Sequence, residues 1–244
     1  MKDFGLIGFP LEQSFSKKYF TEKFEKEGLA DHTFHLFALK SINDFNALIA
    51  AHENLHGLAV TIPYKQAVMQ FLTTINDEAK DIGAVNCIKV DGAKLTGYNT
   101  DILGFKNSFI PLLQSEHNGA LVLGTGGASK AVQYVLKQMG LPFILVSRKP
   151  QQQNIISYTA ITQQILDQFP VIINCTPVGM YPIVDRFPEI PYHLLSNRNY
   201  LYDLIYKPGE TLFLQKGRVA GATVKNGLDM LYIQAEENWN IWNS

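Results

Sequence analysis

The chain has 244 residues, of which 46% are hydrophobic and 18% are charged, and its formal net charge is -1. This length allows one large domain or two small ones with a core of their own. The near-zero net charge lacks the basic excess typical of nucleic-acid-binding proteins. No apolar run approaches the ~20 residues of a membrane span, and the first residues hold too short an apolar run for a secretory signal. We therefore expect a cytoplasmic protein without nucleic-acid or membrane partners.

Two cysteines, Cys87 and Cys175, lie far apart in apolar surroundings. This placement is typical of small buried residues in a reduced protein, and the alternatives are a disulfide or a nucleophile.

Short apolar runs alternate with amphipathic stretches over residues 1–100, which predicts β-α-β units and a mainly parallel sheet. The predicted strands of this part are residues 5–9, 33–39, 56–62, 84–90 and 94–98. The predicted helices are residues 14–27, 42–52 and 64–71. The Asp91-Gly92 dipeptide is expected to turn the chain between the last two strands.

A predicted helix at residues 100–113 and a polar connector at residues 114–118 come before a second series of β-α-β units. Strands are predicted there at residues 120–123, 143–146, 171–174 and 200–204. Helices are predicted at residues 128–139 and 228–242. Residues 151–158 are polar and weakly patterned, and no element is predicted for them. The whole pattern indicates an α/β fold with two domains.

A glycine-rich turn, with Gly124, Gly126 and Gly127, directly follows one predicted strand and precedes a helix. Glycines at such a turn let backbone N–H groups approach a pyrophosphate, whose charge the helix N-terminus favours. The turn departs from the G-x-G-x-x-G pattern because Ser129 holds the third glycine position. The turn predicts a dinucleotide site, and the alternative is a purely structural connection.

The segment after the next strand bears on which dinucleotide would bind. An NAD site usually places an acid about 20 residues beyond the glycines to hold the ribose 2′-OH, but no Asp or Glu occurs between His117 and Leu166. The strand instead ends in Ser147, Arg148 and Lys149. Cations here suit a 2′-phosphate and favour NADP over NAD; the alternative is that they are solvated charges at a strand end.

Polar side chains follow the predicted strands of the first part of the chain. They are Ser14, Ser16, Thr61, Lys65, Asn86, Asn99, Thr100 and Asp101. Because ligands of open α/β sheets bind outside the carboxyl ends of strands, these groups are placed to bind one polyol acid or sugar-like molecule. Each group also has a structural alternative: serines and aspartates cap helices, asparagines satisfy turn backbone, and a lysine lies on the surface.

The ordered motifs resemble those of the shikimate dehydrogenase family from end to end. They are GFPLEQSFS, AVTIPYK, GAVNC, GYNTD, GTGGASKA, VSRK, NCTPVGM, DLIYKPGETLFL and NGLDMLYIQA. The resemblance implies an NADP-dependent oxidoreductase acting on a CH–OH group, which reversibly reduces 3-dehydroshikimate to shikimate in chorismate and aromatic amino-acid biosynthesis. It also implies an N-terminal α/β substrate-binding domain (residues 1–102 and 227–244) and a Rossmann-type, doubly wound NADP-binding domain (residues 103–226). The C-terminal helix would return to the first domain.

The resemblance further implies a role for each motif residue. Lys65 and Asp101 would form the catalytic acid/base pair, and Asp101 would also hold a ring hydroxyl. Further substrate contacts would come from Ser14, Ser16, Thr61, Asn86, Tyr206 and Gln234. Cofactor contacts would come from Gly124, Gly126, Gly127, Ala128, Ser147, Arg148, Lys149, Thr176 and Gly227. No metal is implied, and the protein would act as a monomer or homodimer.

The sequence departs from the family pattern at a few positions. Gln13 replaces a usual His before the first serine, and Lys17 replaces a usual Pro after the second. A second arginine of the 2′-phosphate segment is missing, since Pro and three Gln occupy residues 150–153, which predicts a weaker preference for NADP. Two other hypotheses are a broader quinate/shikimate dehydrogenase that uses NAD or NADP, and a non-catalytic sensor of a dinucleotide or metabolite.

Overall fold

The computed structural model describes residues 1–11, 14–150 and 155–244. Two of the departures from the family pattern, Gln13 and residues 151–153, lie outside the described residues. The chain divides into two compact units, of which unit 1 comprises residues 1–100 and 235–244 and unit 2 comprises residues 101–234. The boundaries predicted from the sequence were 102/103 and 226/227, so the first half of the last helix belongs to unit 2.

Unit 1 contains a six-stranded mixed sheet. Its strands are β1 (Lys2–Gly8), β2 (His32–Ala38), β3 (Leu55–Val60), β4 (Thr74–Ile75), β5 (Cys87–Asp91) and β6 (Lys94–Tyr98). They lie in the order β2-β1-β3-β5-β6-β4. Strands β1, β2 and β3 are parallel, whereas β5 is antiparallel to both β3 and β6. The turn predicted at Asp91-Gly92 is present, with φ of +57° at Gly92, and it adds antiparallel pairs to the parallel sheet that the sequence predicts.

The helices of unit 1 are α1 (Phe15–Lys26), α2 (Phe45–Ala51) and α3 (Asp77–Ile82). Ser14 caps α1, as the structural alternative for this serine predicts, because its hydroxyl accepts the N–H of Lys17 at 3.3 Å. The predicted helix at residues 64–71 is partly wrong, since only Ala67–Phe71 are helical and they form a 3₁₀-helix. The physical reason is that the Lys65 carbonyl accepts the N–H of Val85 (2.7 Å) and not the N–H four residues later that an α-helix would require.

Unit 2 contains a six-stranded sheet in which every strand pair is parallel. Its strands are β7 (Ala120–Leu123), β8 (Phe143–Val146), β9 (Ile155–Ile156), β10 (Val171–Asn174), β11 (Tyr200–Asp203) and β12 (Thr223–Lys225). The helices are α4 (Asp101–Phe109), α5 (Gly127–Gln138), α6 (Gln163–Gln168), α7 (Leu212–Val219) and, continuing into unit 1, α8 (Leu228–Asn243). The strand order β12-β11-β10-β7-β8-β9 is that of a doubly wound Rossmann sheet. The predicted fold class is therefore confirmed.

The second half of α8 completes the core of unit 1. The Trp242 ring is only 4% exposed and lies 5.2 Å from the ring centroids of both Phe4 and Phe20. Its Nε1 donates to the Ile88 carbonyl at 3.1 Å. A Cβ on Gly57 of β3 would lie 2.4 Å from the indole, so the ring packs directly on the backbone of the sheet.

The strands β7 and β10 begin and end where the sequence predicts. Both are fully buried and are apolar apart from Asn174 at the end of β10, as expected for strands with helices on both faces of a parallel sheet. The short elements α3, α6, α7, β4, β9 and β12 were not predicted, because none carries a long periodic pattern. Within the described ranges, every helix is too short or too polar to cross a membrane.

Candidate functional site

The substrate-binding residues predicted in unit 1 follow strands at one edge of its sheet. Ser14 comes after β1, with Ser16 in the first turn of α1, and Thr61 and Lys65 come after β3. Because β5 is antiparallel to β3, Asn86 at the start of β5 lies at the edge where β3 ends, and its carbonyl accepts the Val60 N–H (2.8 Å). Unit 1 therefore brings three of the predicted segments to the same edge.

The turn that carries Lys65 is held on both sides by backbone hydrogen bonds. The N–H of Thr61 donates to Ile7 (2.9 Å), and the carbonyl of Thr61 accepts the N–H of Tyr64 (2.9 Å). The Lys65 carbonyl accepts the N–H of Val85, just before β5, and the Lys65 side chain is half-buried. Lys65 thus lies in a turn that backbone hydrogen bonds hold in place.

The side chain of Asn86 is oriented by the chain segment that follows β6. Its Oδ1 accepts the N–H of Thr100 at 2.7 Å, and the Thr100 hydroxyl donates to Asn238 at 2.7 Å. Because the side-chain oxygen of Asn86 is occupied, its side-chain NH₂ group is the donor left for a ligand. The neighbouring Asn99 instead donates to the Ala84 carbonyl (2.9 Å), which is the turn role that the sequence left open.

Asp101 and Gln234 are placed on two helices of unit 2 that touch through their backbones. Asp101 begins α4 and is 7% exposed. One turn later, a Cβ on Gly104 would lie 2.7 Å from the Met230 carbonyl and 3.2 Å from the Cβ of Gln234. This close packing of α4 on α8 explains why the first half of α8 belongs to unit 2.

Tyr206 and Gly227 also lie close together in unit 2. The N–H of Gly227 donates to the Ile205 carbonyl at 3.1 Å. A Cβ on Gly227 would lie 2.1 Å from the Leu204 carbonyl oxygen, so only glycine fits here. Burial raises the pKa of Tyr206, and its phenol therefore remains neutral near pH 7.

A cavity of about 650 Å³ lies in unit 2 and is lined by residues that follow β7 and β10. The strand order reverses between these two strands, and such a switch point is where open α/β sheets bind ligands. The volume is within the usual range of ligand pockets. The predicted cofactor residues that line the cavity are Gly124, Gly126, Ser147, Arg148 and Thr176. Among the described residues, Gly127, Ala128 and Lys149 are neighbours of these in the chain but do not line it.

The backbone of the glycine turn is accessible at the N-terminus of α5. Gly124 has a φ of +100°, and a Cβ there would lie 2.9 Å from the Thr176 methyl group. A Cβ on Gly126 or Gly127 would meet no described atom within 4 Å, so packing does not require glycine at either position. The departure at Ser129 is accommodated because its buried hydroxyl donates to the Gly126 carbonyl (3.0 Å).

Further residues line the cavity that the sequence did not single out. They include Tyr158, Asp185, Arg186, Phe187 and Glu189. Burial raises the pKa of Tyr158 while the charge of Arg148 acts to lower it, which indicates that these two side chains are near each other. These residues lie in irregular segments, and no local motif marks them as lining residues.

The thiol of Cys175 also lines the cavity, but it is not an activated nucleophile. Burial raises its pKa far above the ordinary value, so it stays protonated at neutral pH. Both cysteines are free. Among the described residues, no group of three His, Cys, Asp or Glu side chains is placed to hold a metal ion.

The parallel sheet with its reversed order, and the cavity beside its glycine turn, define unit 2 as a dinucleotide-binding type of α/β fold. A family model of the shikimate dehydrogenase substrate binding domain matches residues 6–88. The chain is 39% identical over 254 residues to the shikimate dehydrogenase (NADP⁺) of Clostridium beijerinckii, covering 99% of this chain and 92% of that protein. The chain belongs to the shikimate dehydrogenase family. The predicted family, and with it the class of oxidoreductases that act on a CH–OH group, is confirmed.

Solved structures agree with this assignment. The shikimate dehydrogenase of Aquifex aeolicus is 30% identical with a TM-score of 0.87, covering 100% of this chain and 92% of that chain. The shikimate 5-dehydrogenase of Thermus thermophilus, solved with NADP(H) and shikimate, is 27% identical with a TM-score of 0.87, covering 99% of this chain and 93% of that chain. A quinate dehydrogenase of Corynebacterium glutamicum in complex with NAD has the same fold at 24% identity, with a TM-score of 0.87 and coverage of 99% and 93%.

Proposed function

We propose that the protein reduces 3-dehydroshikimate reversibly to shikimate with NADPH. The observation that carries the proposal is the joint placement of Ser14, Thr61, Lys65 and Asn86 at one sheet edge, within the segment that matches a substrate binding domain. Hydroxyl, amide and ammonium groups at one edge suit a ring that carries a carboxylate and several hydroxyls. The full-length relatives named shikimate dehydrogenase (NADP⁺) support the same substrate and cofactor.

The residues of unit 2 fit NADP. Gly126 and Gly127 leave room for a pyrophosphate next to the N-terminus of α5, which has no acidic residue in its first turn. Arg148 lines the cavity and is exposed, so its guanidinium is available to a 2′-phosphate. Ser147, Lys149, Thr176 and Gly227 complete the proposed cofactor residues. Two carboxylates, Asp185 and Glu189, line the same cavity and would reduce the preference for the additional phosphate.

The chemistry needs a hydride, a proton and a fixed orientation of the ring. The bound cofactor supplies the hydride that adds to the carbonyl carbon. Lys65 donates a proton to the carbonyl oxygen as negative charge develops there, and the product is a hydroxyl group. Lys65 then regains a proton from water, and in the reverse direction it accepts the hydroxyl proton.

The remaining polar residues bind the ring. Ser14 and Ser16 hold the carboxylate, and Thr61, Asn86 and Asp101 hold ring hydroxyls, with Asp101 as the second catalytic residue. The half-buried Gln234 and Tyr206 complete the substrate contacts. For Asn86 the proposal names the atom, because its NH₂ group is the donor that the Thr100 interaction leaves available.

The substitution Lys65→Met tests the acid/base assignment. We expect turnover to fall by about 10²–10⁴-fold, the usual contribution of a positioned acid or base, while NADP⁺ still binds, because its proposed residues lie in unit 2. The matched control is Lys80→Met, since Lys80 is a surface lysine of unit 1 that pairs with Asp77, and it should keep full activity. Normal turnover by Lys65→Met would contradict the assignment.

A matrix of shikimate and quinate against NADP⁺ and NAD⁺ separates the alternatives. The proposal predicts the highest kcat/KM for shikimate with NADP⁺. Comparable rates with quinate or NAD⁺ would favour the broader dehydrogenase, and binding without turnover would favour a sensor. We also propose that the protein works in the cytoplasm as a monomer or homodimer; the two free cysteines support a reducing compartment.

A further inference from the structure

We propose that Asp203 is a positioning residue for the cofactor cavity, acting through Asn174 to fix Thr176. The inference rests on the proposed function, because it takes the cavity as the site of NADP. Asp203 ends β11 and Asn174 ends β10, and the two residues are paired across the neighbouring strands. Both side chains are fully buried, and neither lines the cavity itself among the described residues.

The carboxylate of Asp203 accepts hydrogen bonds from three donors. Its Oδ1 accepts from Asn174 Nδ2 at 3.0 Å and from the Ile205 N–H at 3.1 Å. Its Oδ2 accepts the hydroxyl of Thr211 at 2.5 Å. A carboxylate has acceptors only, so Asn174 must turn its NH₂ group towards Asp203.

This orientation of Asn174 decides what it offers to the next loop. Its Oδ1 points away from Asp203 and accepts both the N–H of Thr176 (3.0 Å) and the Thr176 hydroxyl (2.6 Å). If the amide were reversed, an NH₂ group would face the N–H of Thr176, and two donors would meet in a buried place. Asp203 therefore selects the one orientation of Asn174 that holds Thr176.

Thr176 is the residue through which this network reaches the cavity. Its hydroxyl accepts the N–H of Val178 at 3.3 Å, which fixes the turn after β10. Its methyl group lies against Gly124 of the glycine turn, where a Cβ would be 2.9 Å away. Thr176, Val178 and Gly124 all line the cavity. The network thus sets the relative position of the two loops that follow β7 and β10.

A series of substitutions separates this role from a general structural one. Asp203→Asn keeps an acceptor at Oδ1, and its NH₂ group can donate to the Thr211 hydroxyl. Asp203→Ala removes the acceptor and leaves Asn174 free to reverse. Thr176→Val removes only the hydroxyl at the end of the network. Thr211→Val is the matched control, because it removes a bond to Oδ2 and the N-cap bond of α7 but leaves Oδ1, Asn174 and Thr176 in place.

The measurement is the Kd of NADP⁺ by titration calorimetry, with the Kd of shikimate and the thermal midpoint of each variant alongside. We expect Asp203→Asn to bind NADP⁺ within about twofold of the original protein. We expect Asp203→Ala to bind it about 10-fold or more weakly, because Thr176 is then no longer held beside the glycine turn. Thr176→Val should weaken binding in the same direction, and Thr211→Val should lower the thermal midpoint but keep the Kd of NADP⁺.

Each alternative outcome has a distinct meaning. If the original protein does not bind NADP⁺, the proposed function and this inference are both overturned. If it binds NADP⁺ and Asp203→Ala binds equally well, only the positioning role is overturned. The role is also overturned if Thr211→Val weakens NADP⁺ binding as much as Asp203→Ala does. Should Asp203→Ala not fold, Asn174→Ala takes its place, because Asn174 does not line the cavity and its loss removes the acceptor that holds Thr176; NADP⁺ binding by Asn174→Ala as tight as that of Thr211→Val would overturn the role.

Discussion

The buried carboxylate of Asp203 predicts an unusual dependence of stability on pH. It has no solvent exposure, and burial raises its pKa from 3.8 to about 6, although the hydrogen bonds from Thr211, Ile205 and Asn174 act to lower it. The folded protein therefore holds this proton at pH values where the unfolded chain has lost it. The contribution of Asp203 to stability must therefore fall as the pH rises from about 4 to about 6 and then stay at the lower value.

The size of the effect follows from these two pKa values. Each pKa unit corresponds to about 1.36 kcal/mol, so ionised Asp203 lowers the free energy of unfolding by about 3 kcal/mol at pH 8. At pH 5 the same group lowers it by about 2 kcal/mol, because part of the effect is already present. Between pH 5 and pH 8 the protein should lose about 1 kcal/mol through this residue.

The substitution Asp203→Asn isolates this contribution, because an amide of the same shape does not titrate. We expect the difference in unfolding free energy, variant minus original, to rise by about 1 kcal/mol between pH 5 and pH 8. Urea unfolding followed by far-UV circular dichroism measures it at each pH. Both tryptophans lie in residues 235–244 of unit 1, so tryptophan fluorescence reports the unfolding of unit 1. Asp203 lies in unit 2, and the pH-dependent change in unfolding free energy is expected there.

Asp167→Asn is the matched control for this experiment. Asp167 is an exposed aspartate of α6 in the same unit, and its removal should give a difference that does not change with pH. The reasoning is refuted if the Asp203→Asn difference is as flat as that of the control, or if it falls as the pH rises.

Three further substitutions test separate parts of the structure. Trp242→Ala should cost about 3–5 kcal/mol of stability, since it empties a core position between Phe4 and Phe20; urea unfolding followed by circular dichroism checks this, and a loss below about 1 kcal/mol would contradict the packing role. Gly127→Ala should raise stability slightly, by up to about 1 kcal/mol, because it lies in α5 with free space around it. The same variant should bind NADP⁺ more weakly in calorimetry, and unchanged affinity would argue against a phosphate at this turn. Arg148→Gln should weaken NADP⁺ about 10-fold or more and leave NAD⁺ almost unaffected; equal losses for both would remove Arg148 from the 2′-phosphate.

Much of the fold of unit 2 was readable from local sequence. Strands β7 and β10 are short apolar runs between turn residues, and buried parallel strands need little else to be recognised. Helix α5 was placed within one residue at each end, because the glycine turn marks its start. By contrast, α6 and α7 are short helices whose stability comes from packing on the sheet, and their sequences carry too few turns for a clear period.

The predicted site residues divide in a similar way. Those of the cavity were found because each lies next to a strand end in a recognisable motif. Tyr158 and Arg186 were missed because chain segments far apart in sequence bring them to the cavity. The roles of Lys65, Asp101 and the substrate-binding residues stay predictions, and the substitution Lys65→Met tests the first of them.

The sequence by itself determined the class of fold, the family and the order of the motifs, because these depend on local patterns of apolar and turn residues. Only the tertiary structure decided which hydrogen bonds and close approaches surround the predicted site residues. It showed that the Asn86 Oδ1 accepts the N–H of Thr100, that packing leaves room at Gly126 and Gly127 but not at Gly227, and that Asp203 accepts a hydrogen bond from Asn174. The physical reason is that hydrogen-bond partners and close backbone approaches join residues distant in the chain, and no local pattern records which of them meet.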